Sequence, residues 1–125
     1  MARNRASAKK AGTAFESLVV GYLAKHYDDV IERRAKTGGK DRGDVSGFRF
    51  AGRRIVAEVK NVSRLNLSGW INEAEVERGN DDAAVGLVIH KRHGVGNPGD
   101  QYVTLTLRDL IALLTGERPA DQEKP

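Results

Sequence analysis

Glu58-Val59-Lys60 closes the apolar run Ile55-Val56-Ala57, and Asp44 opens the run before it. On a β-strand successive side chains alternate faces, so Ile55, Ala57 and Val59 point one way and Val56, Glu58 and Lys60 the other. Glu58 and Lys60 then stand side by side on one sheet face, about 7 Å apart along the strand. A strand led by Asp44 and lying alongside brings a second carboxylate to the same point. Two carboxylates and an ammonium suit a hard divalent cation, a phosphate and a water to be activated, the needs of metal-assisted phosphodiester hydrolysis. Read without a ligand, Glu58 and Lys60 are a surface ion pair worth about 0–1 kcal/mol.

The flanking sequence has to position these groups. Residues 1–10 hold Arg3, Arg5, Lys9 and Lys10 and no acid, which predicts a mobile basic arm, able to contact phosphates or simply solubilising. From about Ala11 to 115 the chain reads as one domain, and 116–125 as a polar tail. Phe15, Leu18, Val19, Tyr22 and Leu23 recur at helical spacing, with Glu16 near the edge of that stripe. A short strand over 30–34 leads to a Gly-rich basic loop, 35–43, whose Lys36, Lys40 and Arg42 can meet phosphates, with Arg34 beside them counted among these contacts. The loop lacks the Gly-Lys-Ser/Thr ending of a nucleotide-binding P-loop. Asp44 opens a strand to Phe48 or Phe50, Ala51-Gly52 turns, and 54–60 returns as a hairpin partner.

A helix capped by Ser68 follows, reaching Val76 or Glu77, then strands over 83–90 and 101–107 around a Gly/Pro loop, and a helix over 108–114. Trp70 and Ile71 are expected to pack on the sheet. Helix, three strands, helix, two strands, helix describes an α/β protein with a central mixed sheet flanked by helices. His26, His90 and His93 show no metal-ligand spacing, and His90 reads as a solvated strand end.

Composition narrows the function classes. The chain has 125 residues and no cysteine, which removes disulfides, thiolate metal sites and cysteine nucleophiles. No apolar run approaches the roughly 18 residues of a membrane span, and no secretory h-region follows the basic N-terminus, so a cytoplasmic protein is expected. Charge is divided: residues 1–60 carry 14 Lys/Arg against 7 Asp/Glu, and 61–125 carry 7 against 10. A positive field around paired acids fits a polyanionic substrate rather than a small molecule. A basic nucleic-acid-binding module without catalysis fits the charge equally, as does a merely solvated surface.

Lys-Lys-Ala-Gly-Thr-Ala-Phe-Glu16, the Gly/Lys-rich loop, Arg-Gly-Asp44-Val and Ala-Glu58-Val-Lys60 together resemble the PD-(D/E)XK nuclease superfamily, and within it the archaeal-type Holliday junction resolvases and their phage-borne relatives. The resemblance spans roughly 9–114. It implies a restriction-endonuclease-like fold and a homodimer cutting branched DNA by paired phosphodiester hydrolysis, in host cytoplasm if phage-encoded. Asp44, Glu58 and Glu16 are then ligands of Mg²⁺, with Mn²⁺ able to substitute, and Lys60 positions or activates the attacking water. The resemblance also puts Thr37 or the adjacent glycines in a mobile loop near the cleaved strand, which makes Thr37 an expected DNA contact. Gly43 stands where the superfamily label has proline. Asp41 is a second acid three residues upstream; Asp44 is preferred because it opens the apolar run. Cutting of duplex or flap DNA stays open beside junction resolution, and the apolar residues around Leu65, Trp70, Ile71 and the last helix are the expected dimer surface.

Overall fold

A computed structural model describes residues 4–35 and 39–121. Arg3, Lys36 and Thr37, named above as DNA contacts, lie outside the described residues.

Helix α1 spans Arg5–His26, starting six residues before the expected boundary, because Asn4 caps it by accepting from the Ser7 backbone N–H at 2.8 Å. Arg5, Lys9 and Lys10 are therefore exposed positions on a helix rather than parts of a mobile arm. Strands β1 (Glu32–Arg33) and β2 (Val45–Ser46) form a small antiparallel pair. The predicted strand from Asp44 to Phe50 breaks at Gly47, which adopts φ 78° and sits so close to the Val30 carbonyl that a Cβ would lie 2.8 Å from its oxygen. The chain resumes as β3 (Arg49–Phe50) and turns at Ala51-Gly52, both at positive φ, into β4 (Arg53–Lys60). Helix α2 (Leu67–Asn80) crosses to β5 (Val85–His90), parallel to β4, and a short 3₁₀ turn at Pro98–Asp100 leads to β6 (Tyr102–Thr104), antiparallel to β5. Helix α3 (Leu107–Thr115) follows. The result is a mixed four-stranded sheet in the order β3-β4-β5-β6 with helices against it, the α/β architecture expected. The N-cap of α2 is Asn66, whose side chain accepts from the Gly69 N–H, so Ser68 lies one residue inside the helix.

The alternation in β4 sorts the protein into layers. Ile55, Ala57 and Val59 pack with Phe15, Val19 and Val20 of α1, and with Val85, Leu87 and Ile89 of β5. On the other face Trp70 and Ala74 of α2 pack over Val88, the parallel partner of Glu58. Trp70 is 6% exposed, so it is core and is removed from the expected dimer surface; Leu65, Leu107 and Leu114 stay exposed. His90 is also buried, its Nε2 2.7 Å from Thr104 Oγ1 and its ring against Trp70, which corrects the reading of a solvated strand end. Burial holds its imidazole below the usual range and so neutral.

The polar tail is tied down through residue 121. Arg118 pairs with the buried Asp109 and donates to the Ala84 carbonyl at 2.9 Å, while Arg108 donates to the Asp121 carbonyl at 2.7 Å. Asp109 in turn accepts from the Gly86 N–H of β5. Removing Arg118 strands a carboxylate that is 4% exposed. Arg118→Met is expected to destabilise by about 3 kcal/mol, whereas Arg118→Met with Asp109→Leu recovers most of the loss; urea denaturation of the single and double variants checks this.

Candidate metal centre

Asp44 reaches β4 by way of Gly43. Gly43 adopts φ 92°, and a Cβ there would lie 2.9 Å from Val56 Cγ1 and 3.2 Å from the Ala57 carbonyl oxygen, so only glycine lets the backbone run this close. The Asp44 N–H then donates to the Ala57 carbonyl at 3.1 Å, and the Val59 N–H donates to Asp44 Oδ2 at 2.8 Å. Asp44 is thus laced to the edge of β4 by main chain and side chain together, between Ala57 and Val59, and beside Glu58. Asp41 instead accepts from the Gly43 N–H with its own carboxylate, in an Asx turn that shapes the loop. Asp44 raises the proton affinity of both Glu58 and Glu77, whereas Asp41 acts on Glu77. Of the two aspartates, Asp44 sits with Glu58.

Glu58 and Lys60 emerge on the α2 face as the alternation requires, and α2 brings two further acids to meet them. Glu73 and Glu77 are four residues apart, hence on one face of the helix. Lys60 Nζ lies 2.9 Å from Glu73 Oε2 and 3.3 Å from Glu58 Oε1. One oxygen from each of Glu58, Glu73 and Glu77 falls within 4.8 Å of the others. Glu58 and Glu77 are 7% and 3% exposed, and Glu58 Oε2 and Glu77 Oε1 are buried with no protein donor. Two carboxylates in contact become a hydrogen bond only when one is protonated. Burial is the main cause pushing Glu77 up to about 10, with the neighbouring Glu58 next, so Glu77 is the proton holder. Glu58 is raised as well, by burial first, while Lys60 pulls it down.

Burial pulls Lys60 down, but its hydrogen bond to Glu73 and the charge of Glu58 outweigh that, and its pKa ends above the ordinary lysine value. Lys60 is therefore an ammonium at neutral pH. It can orient a water or hold a phosphate oxygen, but it cannot take a proton.

A hard divalent cation fits this donor set. It needs oxygen ligands, it can replace the proton that Glu58 and Glu77 would otherwise share, and it gives both orphaned oxygens a partner. Glu58 and Glu77 are the ligands supported by those oxygens, with Glu73 and Asp44 adjoining them. Glu16 is placed differently. Its Oε1 is 3.9 Å from Arg33 Nε, and α1 packs on the sheet face opposite Glu58; among the described residues the acids whose oxygens converge are Glu58, Glu73 and Glu77. The expected third acid comes from α2. Its signal is present in the sequence: Trp70, Ala74 and Glu77 follow helical spacing and form the buried stripe of α2, so a glutamate occupies a core position.

Among the expected DNA contacts, Arg34 and Arg42 line a cavity beside the Asp41–Asp44 loop; Lys40 is exposed in that loop. Arg5, Lys9 and Lys10 lie on the first two turns of α1, apart from that cavity's wall. No protein-family model, curated protein or solved structure matches this chain.

The shared proton sets a pH dependence. In the unfolded chain a glutamate ionises near 4.5, whereas Glu77 in the fold keeps its proton to about 10. Between those values unfolding releases a proton, so metal-free stability falls as pH rises across that window. Glu77→Gln supplies a permanent N–H donor to Glu58. At pH 9 without divalent cations it is expected to raise the melting temperature by several degrees, about 1 kcal/mol, and to abolish the stabilisation that Mg²⁺ gives the wild type. Thermal melts at pH 6 and 9, with Mg²⁺ or EDTA, measure both effects.

Proposed function

We propose that this chain is a Mg²⁺-dependent endodeoxyribonuclease of PD-(D/E)XK type, with Mn²⁺ able to substitute, that acts on branched DNA as a homodimer and resolves four-way junctions. The observation that carries the reading is the pair of buried, donor-less oxygens on Glu58 and Glu77, set beside a cationic Lys60 and an edge-bound Asp44. The sheet order and the Asp44, Glu58 and Lys60 placements are compatible with a restriction-endonuclease-like core, in which α2 rather than α1 adds the remaining acids. Glu58 and Glu77, with Glu73 and Asp44 adjoining, would hold a divalent cation, which would supply Lewis-acid polarisation of a phosphodiester and a more acidic water. Lys60 orients that water or a phosphate oxygen as a fixed point charge, and Glu73 holds the lysine in place. Asp44 adds negative charge on the β4 side and, through Val59, fixes how close the loop comes.

The basic half of the chain and the arginines next to Asp44 favour a polyanion as substrate. Two-fold pairing is the economical way to cut both strands of a junction symmetrically. Leu65, Leu107 and Leu114, each about two-thirds exposed or more, are among the exposed apolar residues available for such pairing.

The test is an end-labelled immobile four-way junction beside a matched duplex and a flap, in Mg²⁺, Mn²⁺ or EDTA. Paired symmetric nicks confined to the junction, lost in EDTA, are expected. Glu58→Gln and Asp44→Asn should each lower the rate at least 100-fold while keeping DNA binding. Equal cutting of all substrates removes junction selectivity and keeps the nuclease. Binding with no cleavage under any metal condition identifies a non-catalytic nucleic-acid-binding protein.

A further inference from the structure

A cavity of about 490 Å³ opens at the end of β4 away from Lys60, walled by Arg34, Arg42, Arg49 and Arg54 together with Asp81 and Asp82. Four guanidinium groups against two carboxylates leave this wall with a formal charge of +2. The aspartates also act as braces. Asp81 Oδ2 lies 3.5 Å from Arg54 Nε and 3.8 Å from Arg34 Nη2, and the Asp81 carbonyl accepts from Arg54 Nη2 at 2.7 Å. Two heads are thereby fixed in position before any ligand arrives. Arg34 Nε is buried without a hydrogen-bond partner, a donor whose desolvation cost nothing in the protein offsets. Among the described residues Arg42 and Arg49 form no ion pair, and both are exposed at the rim.

The cavity and the acidic cluster are linked through α2 and the Asp41–Asp44 loop. Asn80, in its lining, lies one turn beyond Glu77 on α2, and its Nδ2 donates to the Asp41 carbonyl at 2.8 Å. The loop from Asp41 to Asp44 separates the two sites, with Gly43 against β4. We infer that this cavity is a phosphate subsite. It holds one nucleotide unit of the DNA strand, further along from the unit presented to Glu58, Glu77 and Lys60, with the phosphate on the braced Arg34 and Arg54 and on the rim pair Arg42 and Arg49. Planar guanidinium forks suit this bidentate contact to a phosphodiester, and the volume accommodates a sugar-phosphate unit. The inference rests on the nucleic-acid reading above and names where the strand is gripped.

Fluorescence anisotropy on a labelled junction and a labelled duplex in EDTA separates binding from cutting. Arg42→Gln with Arg49→Gln is expected to lower affinity about tenfold or more and to reduce the slope of log K against log salt by about two. Lys25→Gln with Arg64→Gln removes the same charge from exposed positions outside the cavity, and should leave affinity within about twofold. With inorganic phosphate as the probe, amide shifts in a ¹H–¹⁵N spectrum should cluster at Ser46, Gly47 and Asn80 and vanish in the Arg42/Arg49 variant. Equal losses for the two charge pairs, or phosphate shifts spread over the basic surface, overturn the subsite. A wild type that shows the Arg42/Arg49 dependence yet cuts nothing in Mg²⁺ keeps the subsite and discards the nuclease. Normal cleavage and binding in the Arg42/Arg49 variant does the reverse.

Discussion

Ile55, Ala57 and Val59 turn from β4 into the layer of α1, while Val56, Glu58 and Lys60 turn into the layer of α2, so one strand serves as core strand and site strand at once. Everything else answers that constraint. The β5 strand has to be apolar because it lies parallel beside β4 under both helices, and all six of its residues are buried. The Asp41–Asp44 loop must come within backbone hydrogen-bonding distance of β4, which Gly43 permits. Helix α2 must meet Val88 with carbon and Glu58 with something polar, and its stripe of Trp70, Ala74 and Glu77 does both.

The polar half of that bargain is costly in the metal-free protein. Three carboxylates converge, two of them buried, and among the described residues the one ammonium beside them, Lys60, pairs with Glu58 and Glu73 only. Lys60 compensates Glu58 and Glu73 together, while burial first, and then the neighbouring Glu58, push the proton affinity of Glu77 up. An apolar residue at Glu77 would relieve the strain on stability, as is general for buried charged groups. Keeping an acid there makes physical sense if a cation, not a proton, is the intended occupant. On the proposed reading the arrangement would store affinity for a divalent ion as a deficit in the fold and separate roles: Lys60 stays charged and would position, while the carboxylates would supply the ligand field.

Much of this was legible from alternation and turn chemistry. The facing of β4, the Ala51-Gly52 turn and the helix–strand alternation all follow from local pattern, because each depends on neighbours in sequence. The pairing of Asp44 with β4 was also approachable, since the hairpin brings them near. Three features depended on contacts that no local pattern encodes. Gly47 breaks its strand because Val30, seventeen residues earlier, occupies the space. Asn4 starts the first helix inside a segment whose charge pattern alone reads as a tail. Helix α1, which carries Glu16, packs on the face that Ile55, Ala57 and Val59 define, a choice between two sheet faces that helical periodicity cannot make. Glu77 was missed for the opposite reason: its stripe marks it as buried, but a surface role is the ordinary assumption for a glutamate.

The two charged regions also constrain one another. Helix α2 carries Glu73 and Glu77 along one face and ends in Asp81, which braces Arg34 and Arg54. Arg34 is linked at the same time to the other wall, its N–H donating to the Asp44 carbonyl at 2.9 Å. A strand of DNA lying across the Asp41–Asp44 loop therefore meets fixed cations on one side and an acid cluster needing a cation on the other. Arginine alone attracts the backbone at any phosphate; the acids alone repel it. On the proposed reading, only a divalent ion between carboxylates and strand would make both regions attractive: the arginine cavity would set where the strand lies, and the acidic cluster would make its close approach conditional on metal.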